Sequence, residues 1–414
     1  MGVRSMISAV WRNRELREQC LVFASQFTLN LSLVVILLVA SLVLVPAEFA
    51  RLSLVNGYIM IGAMLLDVGL NGASLKLSVE TGQRAFVLLN QAVKAAVFVV
   101  SLLLLVVAGA LGHGSAEVIV VACAAGLAFW YATRTVEQFD RLFVRYAKIN
   151  LALGASRLLV GGTLIASRSW WMIAAGVHVV ALLPICAKTL VVLMRDRREV
   201  WRACHGGGAR VLLRLAPAFF FCAAFYSAIP VITQTAIAQT GDAMATGAFG
   251  IVLLVVGPVT LLTSTLRIYL QPQIIATSIQ DVDVFGLGAG SLHLMVVVYA
   301  SMLLLGIVPA SMLVEWAYHL RYPGVGTMVL IYGGATCIVE AIGFYNVRVM
   351  RRDFVRVGLW VNVLRAGACA LPFLYHLSPL HIATWSAVVL VVGELALLWL
   401  LTAVDNNTRH YADG

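Results

Sequence analysis

The stretch Pro46–Ser74, PAEFARLSLVNGYIMIGAMLLDVGLNGAS, decides how the chain is read. Most of it is apolar enough to lie in a bilayer, yet it places an acid, Asp67, well inside the run. On a helix turning about 100° per residue, Ser53, Asn56, Asp67, Asn71 and Ser74 fall within roughly 60° of one another. The pattern predicts one continuous membrane helix over 52–75, apolar all round except for a single polar stripe. An ionisable group at that depth is costly and is expected to face a water-filled cavity or a partner charge.

The rest of the chain places that helix among many like it. Of 414 residues, 61% are hydrophobic and only 12% charged, and the mean hydropathy is +0.95. A soluble protein of this length would have about a quarter of its residues charged. Repeated apolar runs of about 20 residues predict membrane helices, since backbone polar groups in lipid must be satisfied within each segment. A barrel would show alternating segments of about ten residues instead. Twelve spans are expected, near 21–42, 52–75, 86–111, 117–135, 149–167, 170–193, 214–238, 245–268, 288–314, 325–346, 358–376 and 380–403.

The net charge of +10 does not point to nucleic acid, because the bases sit in short loops between the spans. With the N-terminus inside, 22 of the 29 Lys/Arg fall on the inner side, and only Arg51, Arg168 and Arg321 fall outside. That bias sets the orientation, with both termini cytoplasmic. The expected organisation is a cytoplasmic tail (1–20), a first lobe (21–193), a cytoplasmic linker (194–213), a second lobe (214–403) and a short cytoplasmic tail (404–414). The linker, with its charge run and three glycines, reads as hydrated and flexible. Equal numbers of spans in each half and the same chain direction suit parallel repeats with a binding site between them. Set 200 residues apart, Asp67 lies over Arg267 and Phe49 over Phe249. The fold class is therefore an all-α integral membrane protein of about twelve helices, in two six-helix lobes around a central cavity.

Span eight mirrors the opening stretch. Thr260, Thr263, Ser264, Arg267 and Gln271 follow helical spacing and make one polar face ending in a cation. The expectation is that the two stripes face one cavity, with Asp67 and Arg267 pairing as a gate on its inner side. Spans one and seven carry weaker stripes, Gln26 with Asn30 and Ser227 with Gln234; such side chains often hydrogen-bond neighbouring helices. Arg157, Arg365, Lys94 and Lys188 are further intramembrane bases. Cations facing a cavity suit a phosphate-bearing substrate, because guanidinium binds phosphate oxygens in a bidentate way. Glu340 and Glu394, within spans, are candidates for carrying protons.

Nothing resembles an enzyme's constellation. The eight histidines are dispersed, and no GxSxG, HExxH or paired catalytic carboxylates occur. Seven scattered cysteines show no metal-ligand spacing, so neither a metal nor a disulfide framework nor any cofactor is expected.

The second span also resembles the polysaccharide flippases, in which a Gly-Pro-Glu-Phe-Gly-like start leads to an Ala-Asp-Leu-Gly-Leu-like end. Pro46, Glu48, Phe49, Asp67, Gly69 and Leu70 occupy the matching positions, with Ala50 and Leu66 as departures. That family, the O-antigen and exopolysaccharide translocases, belongs to the multidrug/oligosaccharidyl-lipid/polysaccharide exporter superfamily. The resemblance implies a bacterial inner-membrane flippase without enzymatic activity. It would move an undecaprenyl-pyrophosphate-linked oligosaccharide from the inner to the outer leaflet by alternating access. A polysaccharide polymerase and other assembly proteins would be its partners, and a monomer is expected. The residues that would hold substrate are Arg267, Arg157, Arg365, Asn56, Asn71, Gln26, Asn30, Gln234, Thr263 and Gln271; Asp67, Arg267 and Glu340 would gate or couple. The alternatives are a cation-coupled multidrug exporter of the same superfamily and, further off, a membrane polysaccharide polymerase or acyltransferase.

Overall fold

The computed structural model describes residues 14–412 apart from 112–115, 141, 206, 277–281, 283, 285–287, 289 and 351–354. The described chain is helical, with no strand among the described residues. In order come α1 (Arg14–Val43), α2 (Pro46–Asp67), α3 (Leu70–Thr81), α4 (Ala85–Ala110), α5 (Ala116–Phe139) and α6 (Phe143–Ile165). Then follow α7 (Trp170–His178), α8 (Leu183–Arg195), α9 (Arg197–His205), α10 (Gly208–Gln239) and α11 (Ala243–Ala276). The chain continues with α12 (Ser291–Tyr318), α13 (Val325–Met328), α14 (Gly334–Asn346), α15 (Val355–Ala370) and α16 (Pro379–Ala412). Ten described segments are long and apolar enough to cross a membrane by length and composition. With α6 and α10 they make up the twelve spans expected, so this is a multi-pass membrane fold.

Several spans are interrupted. A 3-10 turn at Val180–Leu182 joins α7 to α8, and a π-helical turn at Val329–Gly333 joins α13 to α14. Such turns free backbone groups and often mark functional positions. The second span, expected to run unbroken over 52–75, ends at Asp67 and restarts at Leu70. The cause is two successive left-handed residues, Val68 at φ 45° and Gly69 at φ 77°. A β-branched residue at positive φ is strained, and Gly69 has a second constraint: a Cβ there would stand 2.1 Å from the Ala216 carbonyl oxygen. Gly69→Ala therefore meets both a backbone and a packing penalty, each costing about 1–3 kcal/mol. Gly82, at φ 68° with open space around it, is the control. In thermal unfolding Gly82→Ala should show the backbone penalty alone, and equal losses at the two sites would contradict the packing role.

The chain divides into two compact units. One takes α1, the part of α2 from Val55 onward and the chain to Phe221; the other takes Val45–Leu54 and the chain from Cys222. In the first unit α1 packs along α6, where Gly161 lies against Ile36 and Gly154 against the Leu29 backbone. Lipid is as apolar as leucine, so close backbone approach at small residues, rather than burial of apolar area, holds such helices together. The stretch expected to be a flexible linker instead contains α9. Val200 and Ala203 of that helix pack against a cluster that includes Leu70, Ala73 and Phe86. Beside it, Arg84 clasps Asp140 at 2.8 Å and Asp196 at 3.0 Å. Burial works against a charged Asp196, but hydrogen bonds from Arg195 and Arg84 outweigh it and hold the carboxyl below its ordinary range.

In the second unit the opening turns of α2 are seated on α10 and α11. Phe49 is fully buried edge-on to Tyr322 at 5.9 Å. Gly247 leaves room for both rings, and Gly250 leaves room for Ser53, whose Oγ would stand 2.2 Å from a Cβ there. α14 and α15 both pack on α16, and α12 packs on α14.

Candidate functional site

The acid that dominates the sequence is answered within its own unit. Lys94 of α4, 2% exposed, pairs with Asp67. Its Nζ also donates to Asn71 Oδ1 at 2.9 Å. Asn90, one helical turn before Lys94, donates to Asn71 Oδ1 at 2.8 Å and to Ser74 Oγ at 3.3 Å. The Asn71 N–H donates to Asp67 Oδ1 at 3.2 Å, so the carboxylate also caps the first turn of α3, where negative charge is favourable. The break at Val68–Gly69 makes this possible, because it creates a helix start within reach of the acid. Asp67 is thus paired with Lys94, a partner the sequence reading did not assign to it. A buried charge stripped of its partner costs about 3–5 kcal/mol, so Asp67→Lys and Lys94→Asp should each lower the unfolding temperature sharply. The double exchange should recover much of the loss; no recovery would mean that capping of α3, not the ion pair, sets the cost.

The remaining polar residues of span two turn to different partners. Ser53 accepts a 2.8 Å hydrogen bond from Gln234 Nε2, and Asn56 Oδ1 lies 3.0 Å from His178 Nε2 at the end of α7. The five residues of the stripe are thus shared among three sets of partners. Span one behaves similarly. Gln26 donates to the Tyr146 hydroxyl, which also accepts from Arg134 Nε at 2.8 Å. Asn30 is exposed and bonds back to the Gln26 carbonyl at 3.1 Å.

Two arginine–carboxylate pairs lie in the second unit. Arg267 reaches Glu340 Oε2 at 2.8 Å and the Glu340 carbonyl at 2.7 Å, with its guanidinium 5.6 Å from the centre of the Phe344 ring. A Cβ at Gly343 would stand 1.9 Å from an Arg267 nitrogen, so glycine opens the slot. Arg365 reaches Glu394 Oε2 at 2.8 Å and Asn362 at 3.3 Å, and Asn346 donates to Glu394 Oε1 at 2.5 Å. A Cβ at Gly393 would stand 2.1 Å from Arg365 Nε. Arg267 and Arg365, expected as cations offered to substrate, are instead each neutralised by a carboxylate. Thr263 is buried against the Tyr299 hydroxyl at 2.6 Å, and the Gln271 side chain lies outside the described residues.

Arg157 differs from all of these. It is 3% exposed, and its one hydrogen bond among the described residues runs from Nε to the Val177 carbonyl at 3.3 Å. Among the described residues no carboxylate lies within 4.0 Å of it. A buried cation without a counter-charge costs several kcal/mol, and its planar fork matches two oxygens of a phosphate. Among the described residues, then, Lys94, Arg267 and Arg365 are each neutralised by a carboxylate, whereas Arg157 is buried without one.

Sequence reasoning placed the charged residues at membrane depth but missed their partners. Glu394, like Asp67 and Glu340, was visible as an intramembrane acid, and Lys94 was visible as a base. The DVGLNG run, with two glycines beside the acid, was the available signal for the helix break.

No protein-family model and no curated protein sequence matches the chain. Among solved structures, the crystal structure of an aspartate-to-asparagine mutant of the Vibrio cholerae MATE transporter VcmN is similar at a TM-score of 0.56 and 14% identity. The likeness covers 94% of this chain and 97% of that one. The chain has the fold of that MATE transporter.

Proposed function

We propose that the chain is a flippase for an undecaprenyl-pyrophosphate-linked oligosaccharide in a bacterial inner membrane, with both termini cytoplasmic. The observation that carries the proposal is Arg157, a buried guanidinium with no carboxylate against it among the described residues. A pyrophosphate would supply the missing counter-charge, and Arg157 would hold it through charge-assisted hydrogen bonds as access alternates from one side of the membrane to the other. The span-two resemblance to polysaccharide flippases supports the same substrate class. Gln26 and Asn56 stand in the same unit as polar groups able to meet sugar hydroxyls once their present hydrogen bonds exchange.

A second reading, a cation-coupled multidrug exporter, is favoured by the likeness to a MATE transporter. Charge argues against it. A cationic drug needs an open acid at membrane depth, whereas Asp67, Glu340 and Glu394 are each taken by a base. Proteoliposomes separate the readings. With a fluorescent polyprenyl-pyrophosphate saccharide in one leaflet, the flippase transfers label to the other leaflet faster than empty vesicles do. Expulsion of a cationic dye under a proton or sodium gradient, without saccharide transfer, would overturn the proposal in favour of the exporter.

A further inference from the structure

A cavity lies within the first unit, at the end of its helices that carries the basic loops. It has a volume of about 660 Å³ and is lined by residues of α1, α4, α5, α6 and α8, with Arg84 just before α4. Its cations are Arg84, Arg145, Lys148 and Lys188, and its carboxylates are Glu18 and Glu137; Arg84 is taken by Asp140 and Asp196. Arg145 is held 3.0 Å from Glu137, whereas Lys148 and Lys188 are exposed and have no hydrogen bond or ion pair among the described residues. The cavity also holds two buried acceptors. Gln91, 3% exposed, spends its amide NH2 on Thr133 at 3.2 Å, and its Oε1 has no hydrogen-bond partner. Glu137, 5% exposed, likewise has an unpartnered Oε2. Buried acceptors left empty are costly, and both line this one cavity. At the rim, Leu142 and Val144 are exposed apolar residues beside the lysines.

We infer that this cavity binds the headgroup of an anionic, hydroxyl-bearing phospholipid. Its phosphate meets Lys148 and Lys188, its headgroup hydroxyls donate to Glu137 Oε2 and Gln91 Oε1, and its first acyl carbons lie on Leu142 and Val144. Each part of the site answers one part of that ligand: mobile cations for the phosphate, orphan acceptors for hydroxyl donors, and an apolar rim for the chain. Basic pockets between membrane helices are where anionic headgroups bind. A soluble glycerophosphate shares the polar chemistry but has no use for the rim. This site is independent of Arg157 and of the substrate proposed above.

Thermal unfolding of the full chain in neutral detergent, titrated with short-chain lipids, tests the inference. Phosphatidylglycerol should raise the unfolding temperature and phosphatidylcholine should not. Lys148→Gln and Lys188→Gln should each weaken the phosphatidylglycerol response about fivefold, while Lys76→Gln, on α3, leaves it unchanged. Phosphatidylmethanol, which has the charge but no hydroxyl, should bind more weakly than phosphatidylglycerol, and Glu137→Ala should narrow that gap. Glycerol 3-phosphate acting as well as phosphatidylglycerol would support the polar site and assign it to a soluble phosphate. An equal response to phosphatidylcholine, or one indifferent to both lysines, overturns the proposal.

Discussion

Arg157→Gln is expected to abolish transport while leaving the protein at least as stable as the parent. The two effects separate because, among the described residues, Arg157 has no carboxylate to orphan. Replacing it removes an uncompensated buried charge, which relieves desolvation rather than breaking a pair. What is lost is the fork that would hold a phosphate. Two charge-assisted hydrogen bonds, at about 1.5–3 kcal/mol each, correspond to a loss of roughly a hundredfold or more in rate or affinity. Arg157→Lys keeps the charge but not the planar fork and should fall between parent and Gln variant. The checks are saccharide transfer in proteoliposomes and thermal unfolding of the same preparations. Full transport by the Gln variant would remove Arg157 from the substrate path, and a large stability loss would mean that it is a structural cation instead.

The Arg365–Glu394 pair should show the opposite signature. Among the described residues, Arg365→Met alone leaves a buried carboxylate bonded to Asn346, and Glu394→Leu alone leaves a buried guanidinium bonded to Asn362. Either single change should cost about 3–5 kcal/mol, seen as a marked fall in unfolding temperature. The double replacement exchanges the pair for apolar side chains of similar volume and should return close to the parent. Gly393→Ala, which drives a Cβ into Arg365, should resemble the singles. If the double variant is no better than either single, the pair is not the unit that carries the cost, and the Asn346 contact becomes the candidate.

Different physics made different features legible. The positions of the spans and the surplus of bases between them follow from hydropathy and charge, which are properties of consecutive residues. Asp67, Arg157, Arg267, Glu340, Arg365 and Glu394 could be placed at membrane depth for the same reason. The helical wheel drawn through span two failed because it assumes unbroken rotation. Val68 and Gly69 reset the phase, so Asn71 and Ser74 turn to Asn90 rather than continuing the face of Ser53 and Asn56.

The sequence by itself determined a many-span helical membrane protein with ionisable groups inside the bilayer region, because lipid imposes length and apolarity residue by residue. Which charge answers which was decided only by tertiary structure. Asp67 meets Lys94, 27 residues away, and Arg267 meets the backbone of Glu340, 73 residues away. Those choices depend on how helices pack and on glycines such as Gly343 that let a guanidinium lie flat. The same packing left Arg157 without a carboxylate among the described residues, and no reading of spacing along the chain could have singled it out.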